Sequence, residues 1–599
     1  MSMMKWWITL CLLVVSGLPA TAAVMREPYL QMVTPTSITI VWQTDLNSAD
    51  NSRVQYGTVA GNLNQAAFGA AVISPSNPAV KNHAVSLTGL VSDTTYFYNV
   101  GTVTNGVQGG GTTNYFLVTA PTVGSPTPFR AWILGDSSDG GTDQMLVRDA
   151  MLAETALNPP SPDIILHAGD IAYADGTDTE FTTNHFSIYQ DILRHTPLWP
   201  TLGNHEARNS SSAFGIGPYY EAHVLPTGGE GGGVASGTEA YYAFDYANVH
   251  FIVLDSMDSD RTPTGPMLTW LQADLMATSQ EWAIAYWHHP PYTKGSHDSD
   301  SGADSGGRLV DMRETVLPLL EAGGVDLIIG GHSHIYERSY LIDQAYGYGS
   351  SPNFATPNIG TLQANGNVLD AGDGNPSGNG AYKKSPGGLP HNGTVYVVAG
   401  HGGHGVSSAF GGNHPVMFFS EAQLGSVLLD VNGSILTLQN VRSTGAITDT
   451  FSINKVGNGK DDIVLRNMST GDVEVWLVNG LTLGATGIIA AGVAAEWVIA
   501  GLGDLDGDGK DDVVVRNTIT GDVGAWLGNG LTLGATGIIA GPGTDWAIAG
   551  LNDLDANGKT DLLFRNTITG DVGAWLGNGL TLGATGIIAA SVPLEWEIQ

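Results

Sequence analysis

The sequence predicts a multidomain fold: an all-β sandwich, then an α/β domain, then β repeats arranged like part of a propeller. Three observations carry this. Residues 25 to about 122 offer short β-branched and aromatic runs separated by turn residues. From Phe129 onward, apolar strands alternate with helical stretches. From about Val456 the chain repeats itself, with periods of 50 and 49 residues.

Length and composition agree. The 599 residues are too many for one domain. The net charge is −34, yet only 13% of residues are charged, against about 25% in ordinary globular chains. Glycine contributes 81 residues. Together these exclude a coiled coil, a basic nucleic-acid binder and a charge-driven disordered protein. They suit short strands joined by Gly, Asn and Asp turns.

Residues 1–23 read as a secretory signal peptide. Lys5 precedes an apolar run from Trp6 to Leu18, and the small residues Ala20-Thr21-Ala22-Ala23 follow. The alternative is a membrane anchor, but the run is shorter than the ~20 residues a span requires. Cys11, the only cysteine, lies inside this segment after Leu10, which does not suit lipid modification. The expected mature chain is secreted, periplasmic or extracellular, and has no disulfide and no membrane span.

Residues 24–124 form the expected sandwich. Its strands are Ser37–Trp42, Arg53–Tyr56, His83–Leu87 and Thr95–Val100, with Trp42 as the large core ring. The stretch resembles a fibronectin type III-like domain, which implies an orienting role rather than chemistry.

Gly124 to Pro128 reads as a linker into an α/β domain over residues 125–455. Expected buried strands are Ala131–Leu134, Asp163–His167, Asn248–Leu254, Trp282–Trp287, Val325–Ile329 and Val395–Ala399. Helices are expected at Asp143–Leu157, Pro266–Ala277 and Leu309–Glu321. Tyr340 to Leu389, rich in Gly, Asn, Pro and Ser, reads as a long irregular insertion.

Five polar blocks follow strands of this region. They are Gly135-Asp136, Gly169-Asp170-Ile171-Ala172-Tyr173, Gly203-Asn204-His205-Glu206, His288-His289-Pro290 and Gly331-His332-Ser333-His334. Ligands in such folds collect beyond the carboxyl ends of strands. A donor set of Asp, Tyr, Asn and His without Cys suits Zn, Fe, Mn or Mg.

In order and composition these blocks resemble the purple acid phosphatases of the calcineurin-like metallophosphoesterase superfamily. The resemblance covers about Phe129 to Ile453 and the preceding sandwich, and implies a metallophosphoesterase β-sandwich flanked by helices. One departure is Ser138, where the family usually has Gly. The resemblance implies two metals. Asp136, Asp170, Tyr173 and His334 would hold the first, and Asp170, Asn204, His288 and His332 the second, with Asp170 bridging. Two carboxylates and a phenolate favour Fe(III). The second set suits Zn(II), Fe(II) or Mn(II). Such ions clamp phosphate and lower the pKa of bound water, so that hydroxide is present in acid.

The resemblance also places His205 and His297 where phosphate is bound and the leaving alcohol protonated. His289 reads as a packing residue, His401 and His404 as histidines of a flexible loop, and Glu337 and Arg338 as a structural pair.

Residues 456–599 carry 18 acidic and 6 basic side chains. Asp504, Asp506, Asp508 and Asp512 place oxygens at positions 1, 3, 5 and 9 of a tight loop, as do Asp553, Asp555, Asn557 and Asp561. This pattern begins an EF-hand-like Ca(II) loop. A bare Asp/Asn/Gly turn is the alternative. The first repeat, Asn454 to Asp462, has Val456 at position 3 and reads as degenerate. The repeats resemble the FG-GAP/VCBS repeats of integrin-like propellers, which implies attachment to a surface partner or a glycan.

The sequence therefore points to a secreted binuclear metal-dependent acid phosphatase acting on small phosphate monoesters through metal-bound hydroxide. One alternative is a phosphodiesterase or nucleotide hydrolase with the same site. Another is a surface adhesion protein with an inactive phosphatase domain. No nucleic-acid partner is expected from so acidic a chain.

Overall fold

The computed structural model describes residues 22–346, 359–385, 388–455, 463–479, 482–506, 510–529, 531–552, 554, 559–596 and 598. Nearly all of the expected signal segment lies outside these. No helix among the described residues is long and apolar enough to cross a membrane.

The first unit is an antiparallel sandwich of eight strands between Val24 and Val118. Ser37–Asp45 pairs with Val80–Thr88, and Asn51–Gly57 pairs with Thr95–Thr102. Alternation along Val80–Thr88 buries Val85 and Leu87 and exposes Ala84 and Ser86, the period-two pattern of a one-sided strand. Trp42 is fully buried and stacks on His83 with ring centroids 4.6 Å apart. Burial of the imidazole, with the Lys81 charge nearby, holds His83 down at about 4.

Two seven-stranded sheets follow. In the first, Leu198–Pro200, Ile164–His167 and Phe129–Leu134 run parallel, and Phe129–Leu134 continues antiparallel into Gly425–Asn432, Ile435–Arg442 and Ile447–Asn454. In the second, Val249–Val253, Trp282–Trp287, Leu327–Gly330 and Val395–Ala399 are parallel neighbours. Trp282–Trp287 reads as an unbroken apolar run because both its faces are covered. One core joins the first sandwich to the first sheet and the inner face of the second. Another packs the second sheet's outer face against Leu268, Leu271, Leu317 and Leu320 of the helices.

Two expected elements differ. Leu309–Glu321 is not one α-helix: Arg308–Asp311 and Leu317–Ala322 are separated by a π turn over Met312–Val316. Pro318 has no N–H to return to Glu314, so the hydrogen-bond ladder widens there. The stretch read as irregular contains a short helix, Ile359–Ala364, and a strand pair, Leu341–Ile342 with Val368–Asp370.

The first sandwich is joined to the α/β unit by buried polar contacts. Arg26 donates to Asp178 at 2.9 Å, Gln43 donates to the same oxygen at 3.0 Å, and Asn77 donates to the other at 2.8 Å. Tyr29 packs on Phe186 with centroids 4.2 Å apart.

The repeats form one three-stranded and two four-stranded sheets, all antiparallel meanders. An arginine recurs in each unit and reaches carbonyls that lead to the next one. Arg466 donates to Val493 and Ala494, Arg516 to Gly543, and Arg565 to Pro593, at 2.8–2.9 Å. Lys510 forms an ion pair with Glu281 of the α/β unit at 3.2 Å.

Candidate metal centre

The polar blocks sit at one end of both sheets, just beyond the carboxyl ends of parallel strands. Asp136, Asp170 and Asn204 follow three strands of the first sheet, and His288 and His332 follow two of the second. Three of these residues turn the chain sharply: Asp136, Asp170 and His332 have φ of +54°, +53° and +64°. Left-handed backbone at a non-glycine residue costs of order 1–3 kcal/mol. That strain is concentrated where the side chains must converge.

The glycines ahead of these residues make room. A Cβ at Gly331 would lie 2.7 Å from Asp136 Oδ2, and one at Gly169 would lie 2.7 Å from His288 Nδ1. One at Gly203 would overlap the Asp170 carboxylate.

Six of the seven expected ligands form a close set. The Tyr173 hydroxyl lies 3.0 Å from both Asp136 Oδ1 and Asp170 Oδ2, and 3.3 Å from His334 Nε2. His334 Nε2 is 3.4 Å from Asp136 Oδ1. His288 Nε2 is 3.4 Å from Asp170 Oδ1 and 2.9 Å from Asn204 Oδ1. His288 Nδ1 lies 2.9 Å from the Ala168 carbonyl, which directs Nε2 inward. His332 stands beside this set, its ring centroid 4.9 Å from that of His288. Its Nε2 lies 2.7 Å from Ser305 Oγ.

Asp136 and Asp170 are almost completely buried. Burial alone would raise the Asp170 pKa, but His288 and His205 hold it below the usual carboxylate range. Burial would lower His288, yet Asp170 raises it to about 9. Burial and the two carboxylates push the Tyr173 phenol far above its ordinary value. The protein alone therefore keeps Tyr173 protonated. Buried carboxylates, a phenol oxygen and imidazoles converging within 3.0–3.4 Å are a donor set that fits multivalent cations.

Glu206, given no role by the sequence reading, organises this centre. It is fully buried, and its carboxylate accepts the backbone N–H groups of Asp170, Ile171, Ala172 and Gly203 at 2.8–3.0 Å. One side chain thus ties together two ligand loops. Ser138 is also built in: its hydroxyl meets Ser137 Oγ at 2.8 Å and His185 Nδ1 at 3.1 Å.

His205 and His297 both reach the centre. His205 Nδ1 bonds the Ala174 carbonyl, and Nε2 lies 3.8 Å from Asp170 Oδ2. The His297 ring stacks on His332 at 3.9 Å, and its Nδ1 is held by Asp304 at 2.8 Å. Asp304 was not foreseen, although it lies in the same loop. His289 is buried and bonds Ser256 at 2.9 Å, as a packing residue should.

Three expectations need correction. Glu337 and Arg338 are not a pair, because neighbours on a strand point to opposite faces. Arg338 binds Asp449 through two bonds of 2.8 Å, while Glu337 accepts from Thr293 at 2.5 Å. His401 is no loose loop residue: it is buried and bonds Asn440 at 2.9 Å. His404 lies against the centre, its ring 3.7 Å from that of Tyr173.

In the repeats, ligand atoms of Asp504, Asp506 and Asp512 lie within 4.8 Å of one another. Asp512 also accepts the N–H groups of Leu505 and Gly528, both at 2.8 Å, and Asp561 does the same for Leu554 and Gly577. The ninth-position carboxylate therefore staples its loop to a neighbouring strand. Asp508, Asp553, Asp555 and Asn557 lie outside the described residues.

Two domain families match this chain. Residues 26–119 match the purple acid phosphatase N-terminal domain, and residues 129–336 match the calcineurin-like phosphoesterase domain. Purple acid phosphatase 18 of Arabidopsis thaliana is 26% identical over 335 residues, 54% of this chain and 68% of the relative. The Arabidopsis thaliana relative named "Probable inactive purple acid phosphatase 9" is 26% identical over 240 residues, 36% of this chain and 35% of its own. Matches to the next curated relatives span 59% and 52% of their lengths. The purple acid phosphatase PPD1 structure from yellow lupin (Lupinus luteus) seeds superposes with a TM-score of 0.54. It is 20% identical and covers 72% of this chain and 74% of that one, which shows a common fold. Residues 26–119 thus match a purple acid phosphatase N-terminal domain and residues 129–336 a calcineurin-like phosphoesterase domain, and these matches support a metallophosphoesterase hydrolase.

Proposed function

We propose that the chain is an exported binuclear acid phosphatase acting on small phosphate monoesters. The observation that carries this is the convergence of Asp136, Asp170, Tyr173 and His334 with Asn204 and His288 around one pair of buried carboxylates. Asp136, Asp170, Tyr173 and His334 would hold an Fe(III). Asp170, Asn204, His288 and His332 would hold a Zn(II), Fe(II) or Mn(II). Bound there, two such cations supply Lewis acidity toward a phosphoryl group and its attacking and leaving oxygens.

The remaining roles fall to this chain's imidazoles. His205 stands beside Asp170 and His297 beside His332, each with Nδ1 held by the protein. That leaves each Nε2 to bind a phosphate oxygen or to give a proton to the leaving alcohol. Asp304 keeps the His297 ring in place for this.

In this reading residues 1–23 are a signal peptide and 24–124 a fibronectin type III-like module that orients residues 125–455. Residues 456–599 are FG-GAP/VCBS-like repeats that bind Ca(II) and attach to a surface partner or glycan. The test is hydrolysis of an aryl phosphomonoester and its diester, in acid and at neutral pH, by wild type and Asp170→Asn. Monoester cleavage in acid, absent from the variant, is expected. A preference for the diester would move the substrate class. No cleavage of either by metal-loaded protein would place this chain with the relative named inactive.

A further inference from the structure

We infer that His404, pinned by Asp139, is a positioning residue that fixes the ring plane of Tyr173. The inference rests on Tyr173 being a metal ligand, as proposed above. The His404 imidazole lies nearly flat on the Tyr173 ring, with centroids 3.7 Å apart and planes 16° apart. His205 also packs against Tyr173, tilted by 54° at 4.3 Å. The Tyr173 hydroxyl is fixed by the two carboxylates, but contacts at the tip leave the ring free to rotate about its long axis. A flat neighbour removes that freedom, and the ring plane sets the direction of the phenol oxygen's lone pairs.

The loop that delivers His404 is built for the purpose. The His404 N–H donates to the Asp136 carbonyl at 3.0 Å, and the Gly402 N–H donates to the Gly135 carbonyl at 3.1 Å. The approach is so close that a Cβ at Gly403 would lie 2.5 Å from the Ser137 carbonyl oxygen. His404 therefore moves with the loop that carries Asp136. Asp139 holds its edge, with Oδ2 3.2 Å from Nδ1, while Asp139 Oδ1 accepts the Gly141 N–H at 2.7 Å. The imidazole supplies both features needed: a flat face for the phenol and a polar edge for the carboxylate.

The test compares wild type with His404→Ala, His404→Phe and Asp139→Ala. Crystal structures of the metal-free proteins read the Tyr173 ring plane directly. Iron-loaded samples give iron content, the visible tyrosinate–iron absorption, and kcat and KM on an aryl phosphomonoester. In His404→Ala the ring plane is expected to turn, the absorption to move and kcat to fall about 10-fold, with iron content and KM within about twofold of wild type. His404→Phe, which keeps a flat ring, should restore plane and absorption. Asp139→Ala should move both in the same direction by less, and it decides the matter if His404→Ala does not fold. An unmoved ring and absorption in His404→Ala would overturn the inference. So would a rise in KM alone, which would make His404 a substrate contact. If wild type takes up no iron, the metal-centre reading fails, and the ring plane in the metal-free crystals still decides the role of His404.

Discussion

Glu206 accepts the backbone N–H of Asp170 at 3.0 Å, so the residue expected to bridge two cations is aimed by a carboxylate from a different loop. Burial and the Asp170 charge push Glu206 up to about 8, while four backbone donors surround it. Glu206→Gln would turn an amide N–H₂ toward those donors, leaving buried groups unpaired at about 1–3 kcal/mol each. Metal affinity should fall by roughly 10–100-fold. Equilibrium dialysis against Zn(II) checks this, and an unchanged affinity would show that the two loops need no common anchor.

Asp170→Asn should abolish turnover and lower metal content at both positions at once, because one carboxylate faces both sets of donors. Metal analysis of the purified variant distinguishes this from the loss of one ion. Near-normal activity would refute the site.

Tyr173→Phe should remove visible absorption from the iron-loaded protein while leaving the chain folded, since among the described residues the phenol oxygen meets only Asp136, Asp170 and His334. A spectrum unchanged in band position and intensity would mean that Tyr173 is not the coloured ligand.

His250, on the strand Val249–Val253 one in from the edge of the second sheet, lies between Asp245 at 2.7 Å and Asp274 at 2.8 Å. Burial would lower its pKa, but the two carboxylates raise it to about 9. The folded value exceeds the unfolded one near 6.5. The stabilisation is therefore complete below about pH 6.5 and lost as pH climbs through about 9. Linkage puts it at about 3 kcal/mol at most. Thermal unfolding followed from pH 6 to 10 should show a fall in Tm that is smaller in His250→Asn. Parallel profiles would show that His250 is not the group responsible.

In the repeats, Asp512→Ala should loosen the fold with or without Ca(II), because it strips a partner from two backbone N–H groups. Asp504→Ala should instead erase the response to Ca(II). Limited proteolysis of residues 456–599 with and without chelator separates the two. Sensitivity unaffected by chelation in wild type would argue against calcium in these loops.

Much of this architecture is legible in the sequence. Unbroken apolar runs such as Trp282–Trp287 mark parallel strands covered on both faces, and the Gly-Asp and Gly-Asn-His blocks mark where those strands end. The widened turn at Met312–Val316 escapes the expected single helix Leu309–Glu321, although Pro318 stands just beyond it. What local pattern cannot reveal are partners far apart in the chain. Arg338 and Asp449 are 111 residues apart, and the spacing around Glu337 suggested a nearer pairing. His404 is 231 residues from Tyr173, and only the packing of the glycine-rich loop on Gly135 brings the rings together. Glu206 could have been noticed as an acid closing a block of ligand type, but its four backbone donors depend on the tertiary fold.

The buried Arg26–Asp178 pair has a thermodynamic consequence. Asp178 stands just beyond Tyr173 and draws three donors from the amino-terminal sandwich. Cutting that sandwich away would strand a carboxylate and bare Phe186, so the remainder would not be a free-standing enzyme. Within the intact chain, Arg26→Ala would leave Asp178 buried without its counter-ion, worth several kcal/mol of instability. In a calorimeter, residues 24–455 should therefore melt in a single cooperative endotherm, with the repeats contributing a transition of their own.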